Sequence, residues 1–167
     1  MGETGAISPG ATSHAADDFV GMYEVHSTRV VRALRLAGLS REAAEDVAQE
    51  AFARTLVHWP RVRRGENPPG YVYRVAFRLQ RRQLRRDVPT ANLEGVVTDV
   101  AAEASTRVGL EAVLRSMPAR RRACATMCFV VGMSPVEAGR SLGIAPSTVR
   151  KQLAKARIDL RPLVADD

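Results

Sequence analysis

Apolar positions recur at helical spacing in both halves of this chain, and no alternating strand pattern competes. Phe19, Tyr23, Val30 and Leu34 line one face of a predicted helix that Asp17 or Asp18 can cap and that Gly38 ends. Ser40 caps a second, in which Val47, Ala51, Phe52, Thr55 and Trp59 trace the inner face. After the turn-rich stretch "PRVRRGENPPG", Asn67 can cap and Pro68 can begin a third, with Val72, Val75, Ala76 and Leu79 on its buried side up to Arg86. A further helix is predicted over Pro118 to Val131.

The segment "SPVEAGRSLGIAPSTVRKQLAKA" carries the clearest local signals. Ser134, Pro135 and Glu137 form an S-P-x-E capping box, and Gly143 offers the left-handed stop. Pro146 then opens a helix whose Val149, Leu153, Ala156 and Leu160 make one apolar stripe, leaving Ser147, Lys151, Ala154 and Lys155 outward with Thr148 and Arg150 at the flanks. A capped helix, a glycine turn and a second, basic helix form the helix-turn-helix plan, in which the second helix enters the DNA major groove. A helical hairpin with a solvated charged face has the same local pattern. Gly139, where two helices must approach closely, and the continuing cations Arg157 and Arg161 favour the DNA reading. Ala145 at the second N-cap offers no side-chain acceptor, at a cost of about 1 kcal/mol.

Charge sharpens this picture. The 167 residues hold 25 Lys and Arg against 18 Asp and Glu, a formal net charge of +7, so the chain attracts polyanions. Residues 61–86 contain nine arginines and one acid, Glu66, whereas residues 87–103 contain four acids and no Lys or Arg. That reversal, with a proline, a glycine and no sustained periodicity, marks an acidic linker. The chain is therefore expected to be all-α: a tail over 1–16, a helical domain over 17–86, a flexible linker over 87–106 and a helix-turn-helix domain over 107–167.

Several function classes find no residues. There is no signal-peptide pattern in the first 13 residues, no run long enough for a membrane span, and no Walker loop, G-x-S-x-G elbow or H-E-x-x-H. Cys124 and Cys128 lie four apart beside Met127 and Val131, which suits core packing, and His14, His26 and His58 are remote in sequence. A cytoplasmic protein with no metal, no cofactor and no enzymatic activity is expected.

Two surfaces of the first domain invite partners. The outer face of the second helix carries Glu42, Glu45 and Gln49, with Asp46 and Glu50 at its margins: either a solvated face or a docking surface for a basic protein. In the third helix Arg74, Arg78, Arg81, Arg82 and Arg85 form a cationic ridge interleaved with Tyr71, Tyr73 and Phe77. Cations beside rings suit single-stranded or melting nucleic acid, since the cations hold phosphates and the rings stack on unpaired bases. The rings also suit packing, Phe77 more than the others.

"AEDVAQEAFARTLVHW" and "YVYRVAFRLQRRQLRR", followed after the acidic linker by "MPARRRACATMCFVVGMSPVEAGRSLGIAPSTVRKQLAKARIDLR", resemble the two characteristic parts of extracytoplasmic-function sigma factors of bacterial RNA polymerase, over roughly Phe19 to Leu163. The "RVRR…P…YV" segment resembles the small actinobacterial branch of that family. The resemblance implies an alternative sigma factor that binds core RNA polymerase, directs it to promoters and helps open the duplex. Glu45, Asp46, Gln49 and Glu50 would dock on the clamp helices of the polymerase largest subunit, with the flap as a second contact. Arg63, Arg64, Tyr71, Arg74, Arg78, Arg81, Arg82 and Arg85 would engage the minus-10 element, and Ser147, Thr148, Arg150, Lys151 and Lys155 the minus-35 element. The acidic linker would thread toward the RNA exit path, and an anti-sigma factor is implied as a partner.

The chain departs from its relatives where many carry Asn at the place of Arg78 and Asp at that of Arg82. A sigma-like DNA-binding regulator, or a polymerase-binding antagonist that does not initiate, is the alternative reading.

Overall fold

The computed structural model describes the backbone of residues 9–86 and 105–163 and the side chains of residues 16–82 and 109–163. Among the described residues there are helices and turns and no strand. In order they are α1 (Pro9–Leu36), α2 (Arg41–Val57), the short α3 (Trp59–Val62), α4 (Pro68–Arg86), α5 (Ser105–Ser116), α6 (Ala119–Ala125), a π-helical turn (Thr126–Val130), α7 (Pro135–Leu142), α8 (Pro146–Leu160) and a final 3-10 turn (Arg161–Leu163). None of the helices is long and apolar enough to cross a membrane.

Local chemistry sets most boundaries. Helix α1 closes in a Schellman turn: Leu39 N–H donates to Leu34 O at 3.1 Å and Gly38 N–H to Arg35 O at 2.9 Å, with Gly38 at φ 112°. Ser40 Oγ then accepts from Ala43 N–H at 3.2 Å to start α2. Asn67 Oδ1 accepts from Gly70 N–H at 2.9 Å at the start of α4. Both halves of the capping box at α7 are present, Glu137 N–H donating to Ser134 Oγ and Ser134 N–H to the Glu137 carboxylate. Those bonds hold the Glu137 carboxyl below its usual pKa.

Three expectations are revised. Helix α1 begins at Pro9, eight residues before Asp17, because proline suits a first helical turn and the alanines that follow favour helix; only residues 1–8 of the expected tail lie outside the described residues. The predicted helix over 118–131 runs as α6 and then widens into the π-helical turn, where Val131 N–H reaches Thr126 O. This turn keeps Met127 inside and puts Phe129 and Val130 outside. Helix α5 starts at Ser105, inside the expected linker, on the spacing of Leu110, Val113, Leu114 and Met117. The rest of the linker, 87–104, lies outside the described residues.

The core does not divide at the linker. Val30, Leu34, Val47, Phe52, Val72 and Phe77 from α1, α2 and α4 share one buried cluster with Cys124, Met127, Ala138, Val149 and Leu153 from the second half. Leu36 of α1 sits in a second cluster with Leu114, Met117, Ala125 and Ala156. Helix α4 lies against α7, and α1 against the π-helical turn. The two halves fold onto each other.

Candidate nucleic-acid and polymerase interface

Helix α2 turns its apolar face inward, with Ala44, Val47, Ala48, Ala51, Phe52 and Thr55 buried, so its acidic face is left in solvent. Thr55 resolves its buried hydroxyl by donating to Ala51 O at 2.7 Å. On the outer face Glu45 accepts from Arg41 Nε at 2.9 Å and Glu50 from Arg54 Nε at 2.6 Å. Asp46 and Gln49 are exposed with no such ion pair among the described residues, and neither has exposed Glu42, so the uncompensated negative charge of this face lies on Glu42 and Asp46.

The arginine ridge of α4 splits by direction. Arg78 and Arg82 are exposed, whereas Arg74 and Arg81 are half-buried on the side facing α7. Arg74 lies over the Tyr71 ring at 5.7 Å from its centroid, and its charge contributes to lowering the Glu137 pKa. Arg81 reaches the turn at Gly143. Arg63 is tied to Asp18 at 2.9 Å, and Arg64 is exposed. The Arg85 side chain lies outside the described residues.

Of the three interleaved rings, Tyr73 and Phe77 are core residues, 9 % and 1 % exposed, and only Tyr71 remains partly accessible. Burial, the dominant cause, raises the Tyr73 pKa. Tyr71 borders an open cleft of about 280 Å³ between α2 and α4, shared with Arg54, His58, Arg78 and Arg82. Arg54 and His58 were not singled out from the sequence. Arg54 in the last turn of α2 and His58 just after it stand four apart, and only the packing of α2 on α4 brings them to the ridge.

The helix-turn-helix is held by a glycine contact. A Cβ built on Gly139 would fall 2.7 Å from Ile144 O and 3.4 Å from Pro146 N, so no side chain fits where α7 meets the turn into α8. Gly143 takes the left-handed conformation, φ 66° and ψ 39°. Helix α8 starts at Ala145 without a side-chain cap and buries Val149, Leu153 and Ala156. Ser147, Arg150, Lys151 and Lys155 are exposed on its outer side, and Thr148 is half-buried. At the far end Arg121 Nη1 bonds Asp159 Oδ2 at 2.7 Å, fixing α6 to α8.

Both cysteines belong to the packing. Cys124 is fully buried, and desolvation pushes its thiol up to about 11. Burial also raises Cys128. Neither has the low-pKa environment of a reactive thiolate. Among the described residues no group of three or more His, Cys, Asp or Glu side chains is gathered as a metal site would require.

The chain matches sigma-70 region 2 over residues 22–88 and sigma-70 region 4 over residues 107–160. It is 28 % identical over 159 residues to the ECF RNA polymerase sigma factor SigM of Mycobacterium tuberculosis, covering 91 % of this chain and 81 % of that protein. It is also 28 % identical over 153 residues to the ECF RNA polymerase sigma factor SigE of Mycolicibacterium smegmatis, covering 84 % of this chain and 59 % of that one. Among solved structures, its fold is similar to the sigma factor RpoE of Bartonella quintana, crystallised with the anti-sigma factor NepR, at TM-score 0.68 and 18 % identity over 90 % of this chain and 98 % of that chain. CnrH, solved with the cytosolic domain of CnrY, follows at TM-score 0.57 and 22 % identity, over 93 % of this chain and 96 % of that one. With both regions present in order, and relatives named as extracytoplasmic-function factors aligned across them, the chain belongs to the extracytoplasmic-function group of the sigma-70 family.

Proposed function

We propose that this chain is an alternative sigma factor, which joins core RNA polymerase in the cytoplasm, directs it to specific promoters and helps open the duplex, leaving catalysis to the polymerase. The supporting observation is the coexistence of three separately exposed surfaces: the acidic and amide face of α2, the Arg78 and Arg82 side of α4, and the basic outer face of α8. A DNA-binding regulator acting alone would need only the last.

In this reading Glu45, Asp46, Gln49 and Glu50 meet the basic clamp helices of the polymerase, with Asp46 and Gln49 contributing most because they have no intrahelical ion pair. The flap supplies the second polymerase contact. Arg78, Arg82 and Arg64 hold minus-10 phosphates, supported by Arg63, Arg74, Arg81 and Arg85, and the cleft beside Tyr71 receives an unpaired base. Arg54 and His58 join that cleft. Ser147, Thr148, Arg150, Lys151 and Lys155 face the minus-35 major groove. Since a sigma factor of similar fold was solved with an anti-sigma factor, an anti-sigma factor is proposed for this chain also.

Run-off transcription with purified core polymerase on genomic fragments tests the assignment. New, defined start sites that depend on the chain are expected. Tight binding to core without any new transcript would instead identify a polymerase-binding antagonist.

A further inference from the structure

A second open cleft, of about 620 Å³, lies where α1, the start of α4 and the stretch from the π-helical turn to α7 come together. None of the residues assigned to polymerase or promoter lines it. One wall is cationic. Arg29 and Arg32, three apart and so neighbours on the surface of α1, both border the cleft, and neither makes an ion pair or hydrogen bond among the described residues. His26 stands about one turn before Arg29 and meets the Tyr73 ring edge-on, with centroids 6.4 Å apart. Burial and then the Arg29 charge lower the His26 pKa, and the same charge acts on Tyr73 against the larger effect of burial. Guanidinium, imidazole and phenol therefore converge. No hydrogen bond pins the imidazole, whose Nδ1 is buried without a partner. Asn67 gives its Oδ1 to Gly70 N–H, which leaves its amide N–H groups unused at the cleft.

Glu137 also borders the cleft, but its carboxylate accepts from Ser134 N–H at 3.0 Å and from Ser134 Oγ at 2.9 Å, and Arg74 and Arg140 act on its charge from nearby. The guanidinium charges of Arg29 and Arg32 are thus left without a counter-charge among the described residues. Another part of the wall is apolar, formed by Val130, Val131 and Met133 around the end of the π-helical turn.

We propose that this cleft binds a small organic phosphate of nucleoside-diphosphate size, with its phosphates on Arg29 and Arg32 and its apolar body on Val130, Val131 and Met133. Paired guanidinium groups suit this ligand, because each presents parallel N–H donors to two phosphate oxygens. His26, free to turn, and the Asn67 amide add donors beside them. The volume falls in the range of small-molecule sites, and the apolar wall favours an organic phosphate over a bare ion. The site goes beyond the sigma reading and does not depend on it.

Calorimetric titration of the full chain at fixed ionic strength, with inorganic pyrophosphate and with ADP as probes, tests the proposal. Both should bind at a single site, ADP about tenfold more tightly because its base covers the apolar wall. Arg29→Gln and Arg32→Gln should each weaken both probes about tenfold or more, with unchanged helicity. Arg120→Gln, which removes an exposed charge from α6, should leave both affinities unchanged. On adding ADP, the ring-proton NMR signals of His26 should move while those of His58 stay in place. Absence of binding at millimolar probe, full affinity in the Arg29→Gln and Arg32→Gln variants, or an equal loss in Arg120→Gln would overturn the site, the last by showing only diffuse attraction to a basic chain. Equal affinity for ADP and pyrophosphate would overturn the assignment to an organic phosphate.

Discussion

Replacing Gly139 by alanine sets two effects of known sign against each other. Gly139 is the fifth residue of α7, and in an open helical position Gly→Ala stabilises by about 1 kcal/mol through backbone entropy. Here the new methyl would stand 2.7 Å from Ile144 O, a backbone atom, and 3.6 Å from Val149 Cγ2, which is fully buried. Relief requires the turn itself to move, straining the 3.0 Å bond from Ile144 N–H to Gly139 O and shifting α8. Overpacking of this kind costs about 1–3 kcal/mol, and because backbone has to move the upper half applies, leaving a net loss of about 1–2 kcal/mol. Gly21 on α1 is the control, since its added Cβ would meet nothing within 4 Å; Gly21→Ala should gain about 0.5–1 kcal/mol. Urea unfolding of the full chain followed by far-UV circular dichroism reads both variants. Footprinting should also show weaker minus-35 protection for Gly139→Ala, because the turn sets how α8 enters the groove. A Gly139→Ala protein as stable as the wild type or more so would refute the close-approach argument.

Three further outcomes are expected. Asp46→Lys should weaken core-polymerase binding about tenfold in a competition titration while leaving helicity unchanged, since Asp46 is exposed and has no ion pair to lose; unaltered affinity would remove the α2 face from the interface. The double change Arg78→Ala with Arg82→Ala should reduce permanganate reactivity of unpaired thymines near the start site and lower the salt slope of binding by about 1–2, whereas Lys151→Glu should chiefly lose upstream protection; intact opening in the double variant would make the ridge a solvated face. Cys124 titrates at about 11 when folded against an ordinary 9.0, so the unfolded chain loses its proton first. Its contribution to stability is therefore complete below pH 9 and falls by up to about 2–3 kcal/mol as pH rises to 11. Cys124→Ala should lack that component of the alkaline decline in denaturation midpoints.

The helices and their ends were legible in the sequence because their determinants are local. Ser40, Asn67, the Ser134 and Glu137 box, Gly38 and Gly143 each act within one turn of the backbone, and each does so in the fold. The apolar stripes were equally legible, since a 3.6-residue period fixes which face of α2 or α8 must be buried. Periodicity could not say how far a helix continues through neutral sequence, and so α1 extends upstream to Pro9 and α5 emerges where a linker was expected.

What the chain's own pattern left open depended on residues far apart in sequence. Tyr71, Tyr73 and Phe77 have similar chemistry and adjacent positions, and the packing of α4 on α1 and α2 decides that two are core and one borders a cleft. Arg54 and His58 reach that cleft by the same packing. Arg74 and Arg81 differ from Arg78 and Arg82 by roughly 40–100° around α4 at about 100° per residue, yet α7 covers the first pair and solvent the second. Local hydrogen bonding and periodicity determine an element from within, whereas the neighbour that covers a face is chosen by the burial of every other face at once. The closure of the two halves is of that second kind: Leu36, Gly38 and Arg81 have no local feature that points to Leu114, Arg122 and Gly143, and only their shared burial brings them together.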